Sequence, residues 1–152
     1  MAAPNADSIA LERFIPYLLF RVSRRLNAHL REEMRAAGVT IHRWRLLAVL
    51  AARDGRSLSE LAAVTVMEQS VISRVVDQMR RDGLVRREAG DADRRVSRIF
   101  LAARGRALFE RIFPVARMHQ RRATRELSAA EERMLARLLG KVLATIDAEE
   151  AH

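Results

Sequence analysis

Residues 57–105, SLSELAAVTVMEQSVISRVVDQMRRDGLVRREAGDADRRVSRIFLAARG, constrain the fold more than any other stretch of the chain. Ser57-Leu58-Ser59-Glu60 has capping-box spacing and predicts a short helix to about residue 64. A second amphipathic helix is expected over about 68–82, with Val71 or Ile72, Val75 and Met79 as its buried stripe and Gly83 as its stop. Two basic strands at 84–88 and 97–101 follow at once, around the turn residues Ala89-Gly90-Asp91-Ala92-Asp93. So small a hairpin cannot stand alone and must lie against the helices. Paired short helices followed by an arginine-tipped hairpin set one helix in the major groove of DNA and a wing beside it.

The flanking segments read as what carries and pairs this device. Leu18, Val22, Leu26, Leu30 and Met34 recur every four residues and lay one face along a long first helix over about 8–37, closed by Gly38. Thr40 is a candidate cap for a helix over 40–54 with Trp44, Leu47, Leu50 and Ala51 facing inward, and Asp54-Gly55 signals a turn. After Gly105 a helix is expected over 106–125, bent at Pro114. A second capping box, Ser128 to Glu131, opens a last helix to about 148 with the stripe Leu135, Leu138, Leu139, Val142, Leu143 and Ile146. That face is wide for a terminal helix, and a second subunit would bury the surplus. The expected fold class is therefore mainly α with a two-stranded wing, one domain over 1–152. Within it, 40–105 form the winged helix-turn-helix lobe, and 1–37 and 106–152 the dimerisation helices.

Composition narrows the function. Aromatic residues make up 5% of the chain, which leaves few platforms for stacking single-stranded bases. The absence of cysteine excludes disulfides, thiolate metal sites and thiol chemistry. The net charge is +9, and 27 of the 28 basic residues are arginine, as a GC-rich genome would also produce. Distribution is more telling than the total. Basic and acidic side chains number 9 and 5 over 1–55, 11 and 7 over 56–106, and 8 and 7 over 107–152, so the excess lies in the first two thirds. Such a surface attracts the phosphate backbone through counterion release. No apolar run approaches the roughly 20 residues that span a bilayer. The N-terminus has no signal-peptide layout, and a cytoplasmic protein is expected.

In motif and in element order the chain resembles the multiple antibiotic resistance regulator (MarR) family of winged-helix transcription factors, over nearly its whole length. Asp93-Arg94-Arg95 followed by Ile99-Phe100-Leu101 is similar to that family's Asp-x-Arg wing tip and apolar return strand. Ser-Glu-Leu-Ala at 59–62, Ser-Arg at 73–74 and Gly-Leu-Val at 83–85 fall where the family carries similar residues. Val66 departs from the pattern at a turn position where glycine is frequent, Glu68 where a serine or threonine cap is usual, and Ala102 where threonine often follows the return strand.

Physical roles follow for individual residues. Gln69, Ser70, Ser73 and Arg74 lie on the outward face of the recognition helix, with Asp77 and Gln78. Arginine suits guanine O6 and N7, glutamine suits adenine, and serine suits bases or phosphates. Arg94 and Arg95 reach outward from the wing for the minor groove or its phosphates, Asp93 holds the turn or Arg95, and Arg86 flanks them, with Arg87 and Arg98 as further candidates. The resemblance implies an effector cleft between the first, second and fifth helices, where Tyr17, Arg21, His42, Trp44 and Arg45 offer cations for a carboxylate and an aromatic wall for a ring. No catalytic, metal or cofactor pattern is present: His29, His42, His119 and His152 form no ligand-spaced pair, and there is no nucleophile elbow or phosphate-cradling loop. The expected protein is a homodimeric repressor of a pseudo-palindromic duplex operator, released by a small anionic effector, whether or not an aromatic carboxylate, with no membrane partner. A ligand-independent or architectural DNA-binding protein is the first alternative, and a helical module for acidic protein partners the second.

Overall fold

The computed structural model describes residues 11–89 and 97–150, and its contacts divide the chain into two compact units that meet in sequence between Ala116 and Arg117. In the first unit a 3-10 turn at Leu11–Arg13 precedes α1 (Ile15–Ala36), α2 (Ile41–Ala52), β1 (Arg56–Ser57), α3 (Leu58–Thr65), α4 (Gln69–Arg81), β2 (Val85–Ala89) and β3 (Ser97–Leu101). It ends in the greater part of α5 (Ala103–Ala123). The first helix thus begins at Ile15 rather than near residue 8, with Pro16 in the opening turn, where its missing N–H costs nothing.

Local chemistry explains the helix starts. The Thr40 hydroxyl accepts from the Arg43 N–H at 3.3 Å and opens α2. Ser57 and Glu60 close the expected capping box, Ser57 N–H donating to the carboxylate at 2.7 Å and Glu60 N–H to the hydroxyl at 3.2 Å. Glu60 is consequently held below the ordinary glutamate range, first by the Ser57 backbone N–H, then by the Ser57 hydroxyl and the Arg98 charge. Gly83, at φ +69°, ends α4 as the Leu84 N–H turns back to the Met79 carbonyl at 2.8 Å.

The core of this unit collects Met34 of α1, Trp44, Leu46, Leu47 and Leu50 of α2, Leu61 of α3, and Ile72, Val76 and Met79 of α4. Val85, Ile99 and Leu101 of the sheet, Ile112 of α5, and Val39, Ile41 and Leu84 complete it. On α4 the centre of the buried stripe is Val76, with Val75 only half-buried, because Ile72 and Val76 lie one turn apart directly above Met79's face. Along α1 only Met34 is buried; Leu18 and Val22 are exposed and Leu26 and Leu30 half-buried.

The sheet has three strands in the order β1-β3-β2, all antiparallel, not the two expected. Its extra strand is two residues long, pairing Arg56 with Ile99 and Ser57 with Arg98, and so carries no alternation that a sequence could display. Asp54 fixes this edge: its carboxylate accepts from the Gly55 N–H at 3.2 Å and the Leu101 N–H at 2.9 Å, with Arg106 at 3.6 Å. Gly55, at φ +73°, lies against Phe100, whose ring would stand 2.9 Å from an added β-carbon.

Gly105 does not precede the fifth helix but lies inside it, buried against Leu84, just before β2, and Leu101 of β3. A β-carbon there would meet the Leu84 carbonyl oxygen at 2.0 Å, so the residue serves close approach and α5 begins three positions earlier than its glycine implied. Pro114 lies within the same helix.

The second unit comprises the last turns of α5 and α6 (Ala129–Glu150). The Ser128–Glu131 box forms, with the Ser128 N–H donating to Glu131 at 2.8 Å and the Glu131 N–H returning to the Ser128 hydroxyl at 3.3 Å. The Thr124 hydroxyl bonds Glu132 across the turn between the helices. The α6 stripe of Leu135, Leu138, Leu139, Val142, Leu143 and Ile146 is 40–58% exposed.

Candidate nucleic-acid interface

The buried stripe of α4 leaves an opposite face to solvent, and that face carries the polar residues singled out in the sequence. Gln69, Ser70 and Arg74 are exposed and Ser73 is half-buried, all in the first six residues of the helix. No described residue bonds or pairs with the Arg74 side chain, so its fork of donors faces water. Asp77, one turn on, is half-buried, which leaves Arg74 the more prominent of the two. The first N–H groups of any helix lack intrahelical acceptors. Here Glu68 occupies the cap position without a side-chain bond, so the cap side chain leaves the first N–H groups of α4 without an acceptor.

The turn that aims α4 is strained. Val66, at φ 51° and ψ 47°, adopts the left-handed conformation at the end of α3 and is 89% exposed. This is the position at which glycine was the more frequent residue, and a β-branched side chain there is costly. Thr65 beside it is buried, its hydroxyl donating to the Leu61 carbonyl at 2.7 Å.

On the hairpin, Arg86 is exposed but already engaged. Its Nε donates to Glu88 at 2.6 Å, one terminal nitrogen donates to the Leu101 carbonyl at 3.0 Å, and the guanidinium lies 5.0 Å from the centre of the Phe100 ring. Arg98 is likewise held, donating to the Gly55 carbonyl at 2.7 Å and to Glu60 at 3.4 Å. Arg87 is exposed in β2, its position paired with Ile99. Asp93, Arg94 and Arg95 lie outside the described residues.

The five effector candidates separate. Trp44 and Arg45 line one cleft of about 580 Å³ together with Ser23 and Asn27 of α1, and Arg45 donates to the Asn27 side chain at 2.9 Å. Tyr17 and Arg21 belong to another hollow along α1, where the Arg21 guanidinium stands 5.7 Å from the Tyr17 ring. His42 is exposed and lines neither. Two residues that the sequence reading missed adjoin Trp44: Phe109 stacks on it at 5.8 Å with 6° between ring planes, and Phe113 follows at 6.5 Å. Their signal was the one-turn spacing of two phenylalanines on a helix, in a chain with few aromatics.

Comparison with known proteins agrees with this architecture. Residues 37–96, from just after α1 to the residue before β3, match the model of the MarR family. The chain is 30% identical over 126 residues to the HTH-type transcriptional repressor Rv2887 of Mycobacterium tuberculosis, covering 83% of this chain and 91% of that protein. The chain belongs to the MarR family. A MarR-family transcriptional regulator from Silicibacter pomeroyi superposes with a TM-score of 0.84 at 39% identity, covering 93% of this chain and 96% of that one. The HTH-type transcriptional repressor IacR of Pseudomonas putida is 28% identical over 144 residues, covering 95% of this chain and 86% of its own. The crystal structure of Rv2887 in complex with p-aminosalicylic acid superposes with a TM-score of 0.69 at 29% identity, covering 84% of this chain and 96% of that one. As a MarR protein the chain is a DNA-binding transcriptional regulator and not an enzyme. No helix among the described residues is long and apolar enough to cross a membrane.

Proposed function

We propose that this MarR protein is a cytoplasmic, homodimeric repressor that binds a pseudo-palindromic operator and is released by a small aromatic acid. The observation that carries the DNA-binding half is the outward face of α4. Gln69, Ser70, Ser73 and Arg74 stand on one end of a helix whose opposite face is anchored by Ile72, Val76 and Met79. Base readers need that combination of a rigid mount and free donors. In this reading Arg74 and Gln69 meet base edges, and the serines meet bases or phosphates. Arg94 and Arg95 grip the adjacent minor groove, Asp93 orients them, and Arg86 stiffens the base of the wing. Residues 40–105 are then the DNA-binding lobe, with 1–37 and 106–152 supplying the dimer.

The apolar surplus supports pairing. Phe14, Ile15, Phe20 and Val22 around the start of α1 are 49–61% exposed, and the α6 stripe is exposed as well. Two such faces on one chain are surfaces of the kind that a second subunit covers. Two-fold symmetry would set the two α4 helices one helical turn of DNA apart.

For the effector, the cleft of Trp44 and Arg45 offers a ring wall backed by Phe109 and a cation for a carboxylate. The likeness to Rv2887, crystallised with p-aminosalicylic acid, supports an acid of this class. Tyr17, Arg21 and His42 would join only through rearrangement or across the dimer. A ligand releases DNA only by binding the DNA-incompetent arrangement more tightly.

Titrating a labelled inverted-repeat duplex from upstream of the coding region, beside a scrambled duplex, tests the reading. Preference for the repeat by three or more orders of magnitude is expected at physiological salt, lost on adding a stabilising aromatic acid. Equal affinity for both duplexes would favour an architectural role, and release that persists undiminished in Arg45→Ala would move the effector site elsewhere.

A further inference from the structure

A third cleft lies where the end of α4, the start of α2 and one face of α5 converge; its binding chemistry stands apart from the reading above, and only its coupling to DNA rests on that reading. It measures about 620 Å³ and is lined by Arg43, Arg81, Arg104 and Arg111, with a single carboxylate, Asp82. Arg43 donates to Asp82 at 2.6 Å. No described residue bonds or pairs with Arg81, Arg104 or Arg111. Four guanidinium groups against one acid leave an excess of three positive charges in a concave site, where field lines concentrate.

The walls are also arranged for an extended guest. Arg104 and Arg111 are two turns apart on the same face of α5, roughly 10 Å along the axis. Between them Ala107 leaves the wall open and half-buried Leu108 forms an apolar floor. Arg43 and Arg81 face them from the other helices. Like charges do not gather in a cleft without cost, and a bound polyanion would remove it. A monocarboxylate would leave most of the excess uncompensated, whereas two phosphates, or one diphosphate, match it. Guanidinium forks fit phosphate oxygens two at a time.

We infer that this cleft is a binding site for a small phosphate-bearing polyanion, held by Arg104 and Arg111 on one wall and Arg43 and Arg81 on the other. Asp82 competes with the guest for Arg43. Because Asp82 caps the end of α4, occupancy that draws Arg43 away loosens a tie on the recognition helix, which gives the site a route to the DNA-binding face.

Calorimetric titration of the full chain with inorganic pyrophosphate, at constant ionic strength in chloride, tests the inference. Saturable binding at one site per chain is expected, weakened at least tenfold in both Arg104→Ala and Arg111→Ala and unchanged in Arg45→Ala. Both arginines are exposed, and unaltered melting curves would verify that the variants fold. Asp82→Asn should bind pyrophosphate several-fold more tightly, a gain that misfolding cannot mimic. Absence of saturable binding, equal binding to the arginine variants, or no gain in Asp82→Asn would overturn the site. DNA phosphates are the rival source of the same chemistry. If the Arg104→Ala and Arg111→Ala pair lowers the salt slope of duplex binding by about one per arginine, the cleft holds the backbone and the small-molecule assignment fails.

Discussion

The carbonyl oxygen of Leu84 stands 2.0 Å from where a β-carbon on Gly105 would be built. The same oxygen accepts from the Ala102 N–H at 3.0 Å, so the start of α5 is sewn to the start of β2 backbone to backbone. Neither partner can turn aside. Gly105→Ala should therefore destabilise the fold by at least about 3 kcal/mol, at the upper end of overpacking costs, measured by urea unfolding. A loss below about 1 kcal/mol would mean that the two segments are less tightly apposed than described.

Val66 offers the opposite test. Its left-handed backbone at the turn between α3 and α4 disfavours a β-branched residue, and its side chain is too exposed to gain much from packing. Val66→Gly should raise stability by about 1 kcal/mol, the relief of strain being partly offset by the greater freedom of glycine in the unfolded chain. A destabilised variant in the same unfolding assay would show that the valine methyls contribute more than the strain costs.

Glu60 sets a pH dependence. Its carboxyl is held below the ordinary glutamate range by Ser57 and Arg98, so the charged form is favoured in the folded state. The resulting stabilisation is complete above the unfolded-state value, about 4.3, and fades as pH falls through the folded-state value. Glu60→Gln should therefore be less stable than the parent at neutral pH, with the gap closing below about pH 4. A gap independent of pH would show that the side-chain amide loses packing rather than charge.

Much of this was legible in the sequence because short-range chemistry encodes it. Thr40, Ser57 with Glu60, and Ser128 with Glu131 each announce a helix start through neighbours three residues apart, and all three caps form. Long-range contacts have no such signature. Asp54 reads as half of a turn dipeptide, yet its carboxylate also holds the Leu101 N–H, 47 residues away. β1 is too short for alternation, Gly105 resembles a helix boundary although it marks a close approach, and Phe109 and Phe113 gain meaning only once Trp44 is seen against them. The outward face of α4 was readable because it is the complement of an apolar stripe. The effector residues were grouped by spacing along two helices, which does not fix whether Tyr17 and Trp44 share a cleft.

The exposed apolar stripe of α6 predicts the assembly state. Replacing Leu139 and Val142, each 40% exposed, by glutamate should convert a dimer into a monomer while the helical signal in circular dichroism persists. Sedimentation of the unmodified chain as a monomer at micromolar concentration would contradict the paired-groove geometry.

If the free face of α4 reads bases, Arg74 is the residue whose loss should reveal it. Binding of Arg74→Ala should be measured by anisotropy at fixed salt on the preferred operator and on operators substituted one base pair at a time. Arg95→Ala, a change at a proposed contact to the minor groove or its phosphates, serves as the comparison. Arg74→Ala should lose about 1–3 kcal/mol on the preferred operator, with discrimination relaxed at one position of each half-site. Arg95→Ala should instead lose affinity evenly on all duplexes, with a salt slope smaller by about one. An equal loss on every duplex for Arg74→Ala would contradict base reading by α4.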